Sequence, residues 1–293
     1  MLRPLSCFVL LCLAGFQSAP PANRFALLIA IGNYPARSGA EPIHATNDSR
    51  LMSQLLVKQG FDIKNSRVLA DAQATRRGIV QAFDSLARCL PVGSRVVIHF
   101  SGHGLQLADD NHDEADGLDE AILPYDGQAN QPATLIRDDE LGRWLGRLRL
   151  RLGPAGHLLL LFDSCHSGSI LRNKPGQQVG RGVAMQLSRS AVEAPAGTSG
   201  WFETATSPSA ETKLGRYVLL AATTDGQSSF ECTDAGGKAY GPLTLAACQA
   251  WSAMPNPGSY RAFFGAVQQQ MSRLAPYQLP TLEGNADAPF LGY

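Results

Sequence analysis

The sequence predicts an α/β fold with a mainly parallel sheet covered by helices on both faces. Two observations carry this. Apolar runs and amphipathic helical stretches alternate as βαβαβαβ along the chain. Two of the apolar runs also end in turns of small residues. Val96-Val97-Ile98-His99-Phe100 leads into Ser101-Gly102-His103-Gly104, and Leu158-Leu159-Leu160-Leu161-Phe162 leads into Asp163-Ser164-Cys165-His166-Ser167-Gly168. Continuous apolar runs of this length mark strands buried on both faces.

The elements follow in order. Residues 24–31 form a first strand that closes on the turn signal Gly32-Asn33-Tyr34-Pro35. Asn47 or Asp48 is placed to cap a helix whose apolar face is Leu51, Met52, Leu55 and Leu56, and Gly60 stops it. Residues 61–69 offer a second strand. Thr75 caps a helix with Ile79, Val80, Phe83, Leu86 and Leu90 on one side, broken by Pro91-Val92-Gly93. Residues 95–100 are the third strand, and 104–134 read as a long acidic loop. Residues 138–150 are helical with the stripe Leu141, Trp144, Leu145 and Leu148. Strands at 157–162 and 217–222 follow, then helices at 241–254 and 260–274. Residues 172–216 are rich in Gly, Ser, Pro, Ala and Thr without sustained apolar periodicity. They read as a flexible surface linker or as a processing region, because Arg172, Lys174, Arg181, Arg189, Lys213 and Arg216 lie in or beside them.

Composition narrows the function. The 293 residues are 17% charged with zero formal net charge. There is no global basic field for nucleic acid or a membrane surface. The 44% apolar content fits a soluble globular protein. Residues 1–22 differ from the rest. Arg3 precedes an apolar run broken only by Ser6 and Gly15, and Ser18-Ala19-Pro20-Pro21-Ala22 follows. This pattern is that of a secretory signal peptide, with Gln17 a poor residue for the cleavage site. The run is too short to cross a bilayer comfortably. The expected mature protein is therefore one domain, residues 23–293, secreted or periplasmic, with no integral membrane segment. It keeps Cys89, Cys165, Cys232 and Cys248, which is no dense disulfide framework.

The two turns suggest a nucleophile and its base. A thiolate attacks carbonyl carbon well, but a cysteine is mostly thiol at neutral pH. A nearby histidine takes its proton and later protonates the leaving amine. Cys165 and His103 are the candidates, with the backbone N–H groups of Gly104 and Cys165 as oxyanion donors. A lone cysteine is more often a buried structural thiol; the polar, glycine-ended turn argues against that here. Zinc on His99, His103, Cys165 and His166 is the metal alternative, but no Cys-x-x-Cys pair or helical histidine pair supports it. His99, among apolar residues, reads as a satisfied core histidine.

The pairing of Ser101-Gly102-His103-Gly104 with Asp163-Ser164-Cys165-His166-Ser167-Gly168, in this order, resembles the two active-site signatures of metacaspases, caspase-like cysteine peptidases. The resemblance extends over Asn47-Asp48-Ser49, Asp116-Gly117-Leu118-Asp119-Glu120, Asp138-Asp139-Glu140, Gly241-Pro242-Leu243-Thr244 and the tail from Gln278 to Leu291. It implies a three-layer α-β-α caspase-like fold with about six strands. It also implies an acyl-enzyme endopeptidase made as a zymogen, acting on proteins or peptides and working as a monomer. Metacaspases cut after arginine or lysine, and the positions matching their acidic pocket are Asp48, Asp163 and Ser101, with Asp225 a further candidate. Carboxylates pair bidentately with guanidinium. Arg37 is the counter-argument, because caspases that cut after aspartate carry arginine in that loop. A catalytically weak interaction protein is the remaining alternative. No cofactor is needed for the chemistry. Calcium enters as an activator, with Asp119, Asp138 and Asp139 at matching positions, although Arg172 stands where the family usually has an aspartate.

Overall fold

The computed structural model describes residues 23–111, 117–165, 179–183, 208–224 and 227–292. Six strands form the central sheet: β1 (Arg24–Ala30), β2 (Ser66–Ala70), β3 (Arg95–Ser101), β7 (His157–Asp163), β8 (Arg216–Ala221) and β11 (Thr281–Gly284). Their spatial order is β11-β8-β7-β3-β1-β2. Every pairing is parallel except that of β11 with β8. The sheet is thus the mainly parallel one expected. The order in which successive strands are added reverses between β1 and β3, and in open α/β sheets such a switch point opens a crevice at the carboxyl ends of the strands.

Side-chain alternation divides the core in two. Val96, Ile98 and Phe100 of β3, with Leu158, Leu160 and Phe162 of β7, face one side. There they meet α2 (Arg76–Cys89) and α3 (Asp138–Leu152) through Ile79, Phe83, Trp144 and Leu148. Val97, Leu159 and Leu161 face the other side. That side is covered by α1 (Ala45–Lys58), α5 (Pro242–Ala253) and α6 (Tyr260–Leu274). Trp251, Phe263 and Phe290 pack there with ring centroids 4.8 to 6.0 Å apart. Truncating a ring such as Phe263 would cost about 3–5 kcal/mol. The three-layer reading holds.

Several local expectations need correction. The first helix begins at Ala45, with His44 at the cap position and no side-chain cap bond. Neither Asn47 nor Asp48 is the cap; Asp48 lies inside the first turn and is fully buried. Thr75 does cap α2, accepting from the N–H of Gly78 at 3.0 Å. Gly60 ends α1 with φ of 78°, a region open to glycine. The supposed loop at 104–134 contains β4 (Gly104–Ala108) and β5 (Leu118–Ile122), paired antiparallel and extended by β6 (Ile136–Arg137). A hairpin forms here because Leu105, Leu107, Ala121 and Ile122 bury themselves against the α2–α3 core. The second strand starts at Ser66 rather than at residue 61. The short α4 (Pro208–Glu211) lies in the stretch read as linker, and β9 (Cys232–Thr233) pairs antiparallel with β10 (Ala239–Tyr240) before α5.

Candidate active site

Sheet register builds the floor of the site. Ser101 closes β3, Asp163 closes β7, and the two are paired neighbours. Both follow the alternation that faces α5, so the hydroxyl and the carboxyl point to the same side. Two backbone donors at the start of α5 meet the carboxylates. The N–H of Gly241 donates to Asp48 Oδ1 at 3.0 Å, and that of Thr244 to Asp163 Oδ2 at 2.7 Å. A helix N-terminus favours anions at this place. Ser101 Oγ completes the link by donating to Asp48 Oδ2 at 2.6 Å. Burial pushes both carboxyls above their usual range, and the charge of Arg181 works against that rise.

His103 is held from three directions. Its backbone N–H donates to Tyr34 Oη at 3.0 Å, and Tyr34 Oη donates on to the Leu123 carbonyl at 3.2 Å. The two rings pack with centroids 5.0 Å apart. Gly102 allows this approach, since a Cβ there would stand 2.8 Å from Tyr34 Oη. Nε2 lies 2.7 Å from the Glu41 carbonyl, which only accepts, so Nε2 carries the proton. Nδ1 then keeps its lone pair, and it is buried without a partner. Burial lowers the imidazole from 6.5 to about 4, with the charge of Arg181 adding to the effect. The ring is therefore neutral at pH 7 and able to act as a base.

Cys165 sits just beyond β7 and is buried, with Sγ donating to the Gln227 carbonyl at 3.0 Å. Its backbone N–H points at the carbonyl oxygen of Arg181 at 3.2 Å, and the N–H of Gly104 approaches the same oxygen at 3.4 Å. The two expected oxyanion donors thus converge on one carbonyl.

That carbonyl belongs to a segment, 179–183, which lies in the cleft. Arg181 donates its N–H to the Ser229 carbonyl at 2.8 Å, and Glu231 donates to the Val179 carbonyl at 2.8 Å. Val183 donates to the Gly104 carbonyl at 3.1 Å on the far side. The Arg181 side chain is fully buried. Nη1 reaches Ser101 Oγ at 2.8 Å and lies 3.8 Å from Asp163 Oδ1. Nη2 reaches Asp48 Oδ2 at 2.8 Å and Glu231 Oε1 at 3.0 Å. Burial opposes the charge on this guanidinium, but Asp48, Asp163 and Glu231 outweigh it and keep it protonated.

The structure therefore brings together Asp48, Ser101, His103, Gly104, Asp163 and Cys165. It also adds residues that the sequence reading did not assign to the site: Tyr34, the Glu41 carbonyl, Glu231, and Arg181 as the occupant. Arg181 was one of several basic residues in the linker, and no local signal separates it from the others. Asp225, His166 and Arg172 lie outside the described residues. Arg37 is exposed in the turn Ala36–Ser38, outside this group. His99 packs between β3 and α5, with Nε2 2.9 Å from Thr244 Oγ1 and Nδ1 unpartnered. Burial holds it near 4. Cys89, Cys165, Cys232 and Cys248 all stand as thiols.

Asp119, Asp138 and Asp139 lie on β5 and at the start of α3, apart from these residues. Asp119 is ion-paired with Arg137. Asp138 accepts from the N–H groups of Glu120 at 3.2 Å and Asp139 at 2.8 Å. Asp139 accepts from Asn111 at 2.8 Å. Asp119 Oδ2, both Asp138 oxygens and Asp139 Oδ2 thus accept from protein donors, and among the described residues no group of three or more His, Cys, Asp or Glu side chains is placed to hold a metal ion.

A buried cysteine and histidine on adjacent strand ends, with two N–H groups on one carbonyl, define a cysteine-type endopeptidase on a caspase-like sheet. The comparisons agree. The caspase domain family matches residues 23–291, and the chain belongs to it. Metacaspase-1 of Mycosarcoma maydis is 31% identical over 287 residues, 87% of this chain and 69% of that protein. Metacaspase-4 of Arabidopsis thaliana is 34% identical over 53% of this chain, and the alignment spans 36% of the plant protein. Metacaspase-1A of Neurospora crassa is 36% identical, with 35% of its length spanned. A solved structure from Geobacter sulfurreducens superposes with a TM-score of 0.61 over 92% of this chain and 95% of its own, at 23% identity, and shares the fold. The protein is metacaspase-like. No helix among the described residues is long and apolar enough to cross a membrane.

Proposed function

We propose that this peptidase cuts bonds that follow arginine or lysine, and that its own Arg181–Gly182 bond is one of them. The observation that carries the reading is Arg181. Its side chain is enclosed by Asp48, Asp163, Ser101 and Glu231, while its carbonyl oxygen faces the N–H groups of Gly104 and Cys165. One residue meets the pocket and the oxyanion donors at once, as a substrate residue before the scissile bond (P1) must.

The chemistry follows from these atoms. Cys165 Sγ turns from the Gln227 carbonyl and gives its proton to His103 Nδ1, the nitrogen left with a lone pair by the Glu41 carbonyl. Sγ bonds to the P1 carbonyl carbon, and the developing oxyanion is met by the two N–H groups. The C–N bond then breaks as the imidazolium returns the proton to the departing amine. Water, deprotonated by His103, releases the P1 carboxylate from the thioester and restores the thiol. No metal takes part in these steps. Calcium, expected as an activator, would be held by Asp119, Asp138 and Asp139, with Arg137 competing for Asp119 Oδ2.

On this reading the chain acts as a monomeric zymogen that opens by cutting its own linker, and residues 1–22 direct it out of the cytoplasm. The test is a P1 profile of purified protein on Arg, Lys and Asp reporter peptides, with Cys165→Ala and His103→Ala as inactive controls. Hydrolysis of Arg and Lys reporters is expected, together with a fragment beginning at Gly182. Preference for Asp reporters would overturn the specificity.

A further inference from the structure

We propose that Glu231 is a specificity-determining residue that selects arginine over lysine at P1, with His44 as its positioning residue. This rests on the reading of the cleft as a pocket for basic P1 residues.

The guanidinium of Arg181 is gripped on two sides by different parts of the chain. Asp48, Ser101 and Asp163 come from the sheet edge and α1. Glu231 comes from the opposite wall, the stretch at 229–231 whose backbone pairs with residues 179–181. The two terminal nitrogens divide the work. Nη1 serves Ser101 and the Asp163 carbonyl, at 2.8 and 3.3 Å. Nη2 serves Asp48 and Glu231, at 2.8 and 3.0 Å. A planar fork spans that arrangement. An ammonium is a single nitrogen that stops short of the guanidinium's two terminal nitrogens, and it cannot hold Ser101, Asp48 and Glu231 together. With lysine bound, the Glu231 carboxylate, only 4% exposed, loses its basic partner on the pocket side.

Glu231 is also held ready. The backbone N–H of His44, just before α1, donates to Oε1 at 2.7 Å, and His44 Nδ1 lies 2.6 Å from Oε2. His44 contacts no P1 atom in this arrangement; it fixes the carboxylate that does. Glu231 further donates its own N–H to the Val179 carbonyl, so one residue reads both the P1 side chain and the backbone two positions before it.

The experiment compares kcat and KM for matched Arg and Lys reporters on processed wild type, Glu231→Gln, Glu231→Asp and His44→Ala. Each enzyme is normalised by titrating Cys165 with a peptide electrophile. Wild type is expected to favour Arg by about tenfold or more, the scale of one charged hydrogen bond. Glu231→Gln should bring that ratio close to unity by raising KM for Arg well above the smaller rise for Lys, since Arg181 alone spans to Glu231 Oε1 with a second nitrogen. Glu231→Asp, which keeps the charge but withdraws it, should give a smaller fall in the same direction. His44→Ala should also give a partial fall, because its backbone N–H remains. An unchanged Arg-to-Lys ratio in Glu231→Gln, or an equal loss on both reporters, overturns the proposal. A wild type that prefers neutral or acidic P1 residues defeats instead the underlying reading of the pocket.

Discussion

Asp48 and Asp163 stand on separate elements, yet one helix start fastens both: Gly241 donates to the first and Thr244 to the second. The pocket is therefore a property of α5 as much as of the sheet. Gly241 has no room for a side chain, since a Cβ would lie 2.2 Å from Asp163 Oδ2. Gly241→Ala should displace that carboxyl. Hydrolysis of Arg reporters should fall about 10- to 100-fold, mainly through KM. Labelling of Cys165 by a small alkylating agent should persist, and its loss would show that the change reached the nucleophile.

The pH profile should separate pocket from base. Burial raises the Asp48 and Asp163 carboxyls, so they take up protons at higher pH than ordinary carboxylates near ~4. A neutral carboxyl no longer pairs with a cation. His103 is lowered to about 4, so it stays in its base form while the pH falls through 6.5. As the medium is acidified, KM for Arg reporters should rise before kcat falls. Separate measurement of the two constants checks this, and an acid limb in kcat centred at the ordinary histidine value would contradict it.

Tyr34 is a positioning residue for His103. Tyr34→Phe removes the acceptor of the His103 N–H and the donor to the Leu123 carbonyl. A buried N–H left unpaired costs about 1–3 kcal/mol. The variant should melt at lower temperature, and kcat should drop about tenfold with KM little changed. A rise in KM with unchanged kcat would place Tyr34 in substrate binding instead.

Chelation should leave catalysis standing. Asp119 is engaged by Arg137, and Asp138 spends its oxygens on two backbone donors. Activity of the processed enzyme in excess chelator should stay within about twofold of that in millimolar calcium, because ligand charge and availability set affinity for this ion. Loss of hydrolysis on chelation, restored by calcium, would require these side chains to rearrange.

The sheet and the two turns that carry His103 and Cys165 are readable because they are local. An unbroken apolar run, then glycine and a polar residue, reports a buried strand end without reference to the rest of the chain. The small sheet was missed for the opposite reason. Leu118-Asp119-Glu120-Ala121-Ile122 reads as acidic loop until Arg137 is known to neutralise Asp119. Local pattern alone makes Asp48 a helix cap, and only the family resemblance puts it in the pocket, since its partners lie 53 and 193 residues away, at Ser101 and Gly241. Arg181 was harder still, as it meets Asp48 across 133 positions. Charge and composition identified its neighbourhood but could not choose it among the other basic residues.

The segment at 179–183 has a kinetic consequence. On the proposed self-cleavage, a bond already seated in its own cleft is cut in a first-order event, so the half-time for release of Gly182 should not change on dilution. A peptide added from solution must compete with a tethered rival whose effective concentration is on the order of millimolar or more. Until that rival leaves, even a tight ligand for the cleft will look weak, and a screen run on the intact chain will rank compounds by how well they evict Arg181.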